Sequence, residues 1–251
     1  MPEEKKQTMN DQPSVSICMA TYNGERFLAE QLDTIIPQLG ADDELIISDD
    51  SSTDRTVELL KSYQAPQVRL FLDGNFSSPV GNFEYCLQQA HHDVLILADQ
   101  DDVWLDNRVT LIRDRMRGRE HSPMALMTNA EFIDATGLLT GENLFSYYRA
   151  RTGVLRNLAW NCYTGCAMAL TRPLLQKALP FPKGIPMHDA WIGLLADSGG
   201  AMELVHECTF RHRRHDANAS GLRWQPIRQV RWRLALTWHL WQRTCRSTNG
   251  R

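Results

Sequence analysis

The sequence predicts an α/β protein: a mainly parallel central sheet flanked by helices, with a C-terminal helical extension. Three observations predict it. Short apolar runs alternate with stretches of helical spacing through the first half of the chain. Three of those runs stop at a polar cluster, as strands of a parallel sheet do where a ligand binds. Apolar residues make up 43% and charged residues 23%, the balance of a globular protein with a full core.

Residues 1–13 read as a loose polar tail without the apolar stretch of a secretory signal. "SVSICM" (14–19) reads as a buried strand ending at "ATYNG". Phe27, Leu28, Leu32, Ile35, Ile36 and Leu39 recur at helical spacing within 25–39. "ELIIS" (44–48) is the next strand, stopped by "DDSSTD", where Thr53 or Asp54 can cap a helix running to Ser62. "QVRLFL" (67–72) is a third strand, 80–90 a helix, "DVLILA" (93–98) a fourth strand, and 106–117 another helix. Further on, "MALMT" (124–128) and "TGCAMAL" (164–170) read as strands, and 187–199 as an acidic turn entering a helix. Residues 14–221 thus form one predicted domain, and 222–251 a basic, aromatic helix.

Several function classes fall away at this stage. The net charge of −3 argues against a nucleic-acid partner. The six cysteines lack CxxC spacing and mostly sit in apolar runs, which fits a reducing, cytoplasmic setting. No apolar run approaches the roughly 20 residues that span a bilayer. Neither GxGxxG nor GxxxxGK[ST] occurs, so no dinucleotide loop or P-loop is supported.

In a parallel sheet, ligands bind beyond the carboxyl ends of the strands. "ATYNG", "DD" and "DQDD" should therefore meet at one edge. Asp99, Asp101 and Asp102 there, near Asp49 and Asp50, suit a hard divalent cation such as Mg²⁺ or Mn²⁺, completed by a diphosphate. The same carboxylates also fit a solvated loop with one aspartate capping the next helix. Their place beside "SDDSSTD" favours a site.

Taken together, "ATYNG", "IISDDSSTDRT", "LADQDDVW", "YTGCAMALTR" and "HDAWIGLLA" resemble the family 2 glycosyltransferases with the GT-A fold, and among them the bacterial rhamnosyltransferase-like enzymes of polysaccharide and O-antigen synthesis. The resemblance covers about residues 14–220. It implies that Ala20, Thr21, Tyr22 and Glu25 line the nucleotide pocket, with Tyr22 against the base. It puts Asp50 on the base with Asp49 beside it. Asp99-Gln100-Asp101 becomes the DxD element, Asp99 near the ribose and Asp101 on the metal, with Asp102 in support. Asp189 becomes the catalytic base and Trp191 a wall of the acceptor site. His188 stands where the family more often has Glu; it either holds Asp189 or simply packs. His215 matches the third metal ligand, with His212 as the alternative. The stretch 153–170 becomes an acceptor-side strand and loop that brings Thr164 and Gly165 near the sugar, while Trp160 fits core packing better than contact.

The implied activity is an inverting, metal-dependent transfer from a nucleotide-diphosphate sugar to a glycan or lipid-linked acceptor. dTDP-rhamnose is the first choice of donor, with UDP- and GDP-sugars open. Two competing readings exist. "DQDDV" matches the DxDx[TV] pattern of haloacid-dehalogenase-type phosphatases, with Asp99 as nucleophile, but three βα units precede it where that fold wants the motif first. A non-catalytic nucleotide-sugar binder would not need both Asp101 and Asp189.

After Asp216 there is no acidic residue and there are seven arginines. On a helix, Ile227, Val230, Leu234, Trp238 and Trp241 form one stripe, and Trp232, Leu236 and Leu240 lie opposite. One stripe can pack on the body. The other suits an anionic membrane surface, giving peripheral contact at the inner face of the cell membrane, or it meets another subunit or part of the same domain.

Overall fold

The computed structural model describes residues 12–215 and 226–245. Most of the expected 1–13 tail, and residues 222–225 and 246–251 of the expected terminal helix, lie outside the described residues.

The chain runs β1 (Val15–Thr21), α1 (Leu28–Ile35), β2 (Glu44–Asp49), α2 (Thr56–Ser62), β3 (Val68–Phe71), α3 (Pro79–Gln88), β4 (Val94–Ala98), β5 (Val103–Trp104) and α4 (Arg108–Met116). It continues with β6 (Ala125–Ile133), β7 (Leu139–Asn143), α5 (Leu144–Tyr148), α6 (Val154–Ala159), β8 (Met168–Thr171), α7 (Arg172–Ala178), α8 (His188–Ser198), β9 (Met202–Arg213) and α9 (Pro226–Cys245). Among the described residues, nine strands form one sheet in the order β3-β2-β1-β4-β8-β6-β9-β5, with β7 paired to β6.

The first four strands are parallel, as the alternation predicts. β1 and β4 bury every apolar side chain they carry except the partly buried Ala20, because helices cover both faces. Local chemistry sets the element ends. Pro37 cannot donate a backbone hydrogen bond, so α1 closes at Ile35 and tightens into a 3₁₀ turn over Ile36–Gln38 instead of running to Leu39. The Asp54 carboxylate accepts both the N–H and the hydroxyl of Thr56, which starts α2. Ser78 accepts the Gly81 N–H at 3.2 Å and caps α3, an interaction whose loss typically costs about 1 kcal/mol.

The second half departs from the parallel pattern. β8 runs antiparallel to both β4 and β6. β9 was not legible in the sequence: "MELVHECTFRHR" mixes charge and apolar residues, yet pairs parallel with β6 through two register shifts. Residues 154–159, expected as strand and loop, are the helix α6. Correspondingly, Trp160 is not core; it stands 77% exposed. In α9, Leu236 and Leu240 are buried, whereas Ile227, Val230, Leu234, Trp238 and Trp241 are exposed. The helix rests on α6 and α8. Among the described residues, no helix is long and apolar enough to cross a membrane.

Candidate functional site

Parallel register aligns three strand ends. Thr21 pairs with Asp49, and Met19 with Ala98, so β1, β2 and β4 terminate along one edge. Beyond that edge lies a cleft of about 1520 Å³. A single small-molecule pocket typically holds ~300–1,000 Å³, so this one has room for two ligands side by side.

The loop after β1 is pinned by side chains from its neighbours. Gln100 grips Tyr22 from both sides, its Oε1 accepting the Tyr22 N–H at 2.9 Å and its amide donating to the Tyr22 carbonyl at 3.0 Å. A Cβ at Gly24 would come within 2.4 Å of Gln100 Oε1, so a larger residue there would push the Gln100 amide off Tyr22. Tyr22 itself is 57% exposed and open for stacking. Ala20, Thr21, Tyr22, Asp50, Asp99, Gln100 and Asp101 all line the cleft on this side.

Three expected contacts are corrected by burial or pairing. Asp49 is fully buried; Thr21 Oγ1 donates to it at 2.8 Å and Ser52 donates through both N–H and hydroxyl, so it fastens the loop and does not reach the ligand space. Glu25 accepts the Arg55 N–H at 2.9 Å and pairs with its guanidinium, tying two loops together outside the cleft. Trp191 is fully buried with Nε1 donating to the Ala178 carbonyl at 3.0 Å; it is core, not acceptor wall. Asp50 remains at the cleft, with Oδ1 taking the Phe76 N–H at 2.6 Å.

The acidic run divides sharply. Asp102 is fully buried; its Oδ1 meets His212 Nδ1 at 2.9 Å and accepts the Arg213 N–H at 3.1 Å. Burial alone would raise its pKa, but the His212 charge and these hydrogen bonds outweigh that and lower it. The same pairing pushes His212 up to about 9 against its own desolvation. Asp99 goes the other way. Burial first, then the charges of Asp102 and Asp101, raise it to about 8. Asp101 is raised by burial and by Asp102, while His215 opposes that from 2.7 Å.

Carboxylates of Asp99, Asp101 and Asp102 lie within 4.8 Å of one another. Asp102 gives its Oδ1 to His212 and the Arg213 N–H, while its buried Oδ2 has no hydrogen-bond partner. Asp99 and Asp101 hold their protons above the usual carboxylate range, the condition that a divalent cation relieves. An oxygen-rich pair with His215 alongside fits Mg²⁺ or Mn²⁺. His212 faces Asp102 and stands 3.6 Å from Cys166 Sγ, so of the two histidines it is His215 that meets Asp101.

Positive charge is also built into the frame, at positions the sequence did not single out. Arg108 is fully buried, donating to Thr128, Thr209 and the Cys166 carbonyl, with its guanidinium 4.6 Å from the Trp104 ring and 4.5 Å from Phe210. Arg213 reaches the Asp101 carbonyl at 2.9 Å and Glu30 at 2.6 Å. Arg213 comes from a strand that the sequence pattern did not reveal and Arg108 from the expected helix over 106–117, but a buried arginine has no local signature.

Across the cleft, Asp189 opens α8. Its carboxylate accepts the Ala190 N–H at 2.5 Å and the Gly165 N–H at 3.1 Å. Helix N-termini favour a negative charge, but burial dominates and raises Asp189 to about 6. Beside it, His188 packs its ring 4.1 Å from Phe83, and neither ring nitrogen has a hydrogen-bond partner. Burial lowers it to about 3, so it stays neutral. A Cβ at Gly165 would sit 2.9 Å from His188 Nε2. Thr164, Gly165, His188 and Asp189 share the cleft with the acidic cluster.

Comparison with known proteins agrees with this geometry. The dTDP-rhamnosyl transferase RfbG of Shigella flexneri is 35% identical over 98 residues, 36% of this chain and 34% of that protein. The UDP-Glc:alpha-D-GlcNAc-diphosphoundecaprenol beta-1,3-glucosyltransferase WfgD of Escherichia coli is 24% identical over 188 residues, 73% of this chain and 70% of that one. The match thus spans only about a third of RfbG. Among solved structures, the mannosyltransferase PcManGT of Pyrobaculum calidifontis, in complex with GDP-Man and Mn²⁺, superposes with a TM-score of 0.58 at 17% identity, covering 98% of this chain and 69% of that one, and it shares the GT-A fold. The model of Glycosyl transferase family 2 matches residues 16–177, a span that contains all three strand-end clusters and most of the sheet, and the chain belongs to that family.

Proposed function

We propose that this protein transfers a sugar from a nucleoside-diphosphate donor to a hydroxyl of a glycan or lipid-linked acceptor, with inversion, in the synthesis of a bacterial polysaccharide. The observation that carries this reading is that one cleft gathers two kinds of acidic group. The crowded pair Asp99 and Asp101 and the α8 carboxylate Asp189 line it together, and the Asp189 charge helps raise Asp99. Asp189 titrates near about 6, where a carboxylate can serve as general base at neutral pH.

In this mechanism the nucleotide base stacks near Tyr22 and pairs with Asp50, and Asp99 receives the ribose. Asp101 and His215 would hold a divalent cation, Mn²⁺ or Mg²⁺, which would supply charge neutralisation for the leaving diphosphate. Asp189 accepts the proton of the acceptor hydroxyl as its oxygen bonds to the anomeric carbon. The bond from that carbon to the diphosphate oxygen breaks, and the nucleoside diphosphate leaves. One displacement inverts the anomeric centre, so no enzyme nucleophile is needed. Gly165, with its N–H on Asp189, and neutral His188 beside it position the base.

Rhamnose from dTDP-rhamnose is the donor favoured by the likeness to RfbG, and a diphosphoundecaprenol-linked acceptor is the class suggested by WfgD. A thermal-shift screen of dTDP, UDP and GDP with Mn²⁺ reads the donor, because a ligand that binds the folded state raises apparent stability. Asp101→Ala is expected to abolish Mn²⁺-dependent nucleotide binding. Asp189→Asn is expected to keep binding and lose transfer; normal transfer by Asp189→Asn would sink the base assignment. Release of phosphate from a phosphomonoester without any sugar donor would favour a phosphatase built on Asp99 instead.

A further inference from the structure

One apolar surface plays no part in that chemistry. On α9, Ile227, Val230, Leu234, Trp238 and Trp241 are 53–78% exposed. At about 100° per residue they occupy a single arc of the helix. Trp238 and Trp241 lie with ring centroids 5.3 Å apart on that arc. The opposite arc is fully used. Leu236 and Leu240 are buried, Arg233 donates to the Ala159 carbonyl at 2.8 Å, and Arg243 donates to the carbonyls of Lys177, Leu179 and Pro180. The helix is therefore fixed to the body with its apolar stripe facing out. Leu155 on α6 and Trp160 just after it are also exposed, at 83% and 77%, and Trp160 lines the cleft next to the Ala159 that Arg233 grips.

Charge selects the occupant. α9 carries four arginines and no acidic residue. Two of the arginines staple the helix down; Arg231 is exposed at the edge of the stripe, and the exposed Arg228 keeps its guanidinium 4.6 Å from the Trp232 ring. A second copy docked on this stripe through a two-fold axis would bring these like charges together. An anionic lipid surface accepts both the tryptophans, which favour the interfacial layer, and the arginines, which favour its phosphates.

We infer that the outward stripe of α9 is a docking surface that seats the protein on an anionic lipid bilayer. The same helix forms part of the cleft: Gln229, Trp232, Arg233 and Leu236 line it. Those four lie on the arc opposite the stripe, so the helix stands between the docking face and the cleft. The docking does not rest on the proposed transfer reaction.

Co-sedimentation of the full chain with vesicles tests it. The protein is expected to pellet with equimolar phosphatidylglycerol and phosphatidylcholine and to stay in solution with phosphatidylcholine alone. Leu234→Gln with Trp238→Gln should lower partitioning by about tenfold or more, and Arg228→Gln with Arg231→Gln by a similar factor while flattening its salt dependence. If the stripe double variant loses its folded circular-dichroism spectrum, Trp241→Gln alone carries the test. Failure of the unaltered chain to bind anionic vesicles overturns the inference, as does equal binding to both vesicle types. A stripe variant that converts a dimer to a monomer by light scattering, with vesicle binding unchanged, also overturns it and assigns the face to a second copy. All these readouts are independent of donor, metal and turnover, so they separate failure of docking from failure of the transfer reading.

Discussion

His215 Nε2 lies 2.7 Å from Asp101 Oδ2, and three residues earlier in the chain His212 Nδ1 lies 2.9 Å from Asp102 Oδ1. Two neighbouring aspartates thus meet two neighbouring histidines from the other end of the sequence. The pairs differ in purpose because they differ in burial. Asp102 has no exposure, whereas Asp101 lines the cleft.

Substituting the two histidines should separate these purposes. His212→Ala leaves the Asp102 charge buried without its main partner, and breaking a buried pair costs about 3–5 kcal/mol. A large drop in melting temperature is expected. His215→Ala should leave the melting temperature of the metal-free protein nearly unchanged and weaken the Mn²⁺-dependent nucleotide shift by about tenfold or more. The reverse pattern in the two thermal-shift series would exchange their roles.

The His212–Asp102 pair also sets a pH window for stability. His212 is raised to about 9, so its contribution is complete below its unfolded value of roughly 6.5 and is lost as pH climbs through about 9. Asp102 is lowered, so its part is lost as pH falls below the ordinary aspartate range. Denaturant midpoints should therefore fall between about pH 7 and 10 in the unaltered chain, and more weakly in His212→Ala.

How far the sequence reached follows from where the information sits. "SVSICM", "ELIIS" and "DVLILA" announce buried parallel strands because their apolar runs are short and end at loop residues, and the strand-end rule then brings Thr21, Asp50 and Asp99 to one edge. Asp49 and Trp191 were misplaced for one reason: a motif gives the order of residues, not the side of the backbone on which each side chain ends. In β2, Asp49 turns to Thr21 and Ser52 while Asp50 faces the cleft. β9 escaped notice because its charged residues have partners elsewhere, Arg213 with Glu30 and His212 with Asp102, and such long-range pairing leaves no periodic trace.

Activity should rise with pH through the titration of Asp189. Its pKa is raised to about 6 by burial, so the carboxylate proposed as the base is mostly protonated below that pH. A plot of log kcat/KM against pH is expected to show an acid limb of unit slope bending near about 6. A limb bending near the ordinary carboxylate value of about 4 would remove burial as the cause.

Gly165 offers the most local test of the base. Its N–H donates to Asp189 at 3.1 Å, and a Cβ there would press on His188 Nε2 at 2.9 Å and on Asp189 Cβ at 3.6 Å. His188 cannot readily yield, since Phe83 stacks on it at 4.1 Å and it is nearly fully buried. Gly165→Ala must therefore displace either the ring or the carboxylate by a few tenths of an ångström. Misplacing a catalytic group by about 1 Å can cost on the order of 10²-fold in rate, so a loss of about tenfold in kcat is expected from this smaller shift. In the proposed reaction the donor sits against Tyr22 and Asp101, so its KM should stay within about twofold. A variant that instead raises donor KM at unchanged kcat would place Gly165 on the donor and not on the base.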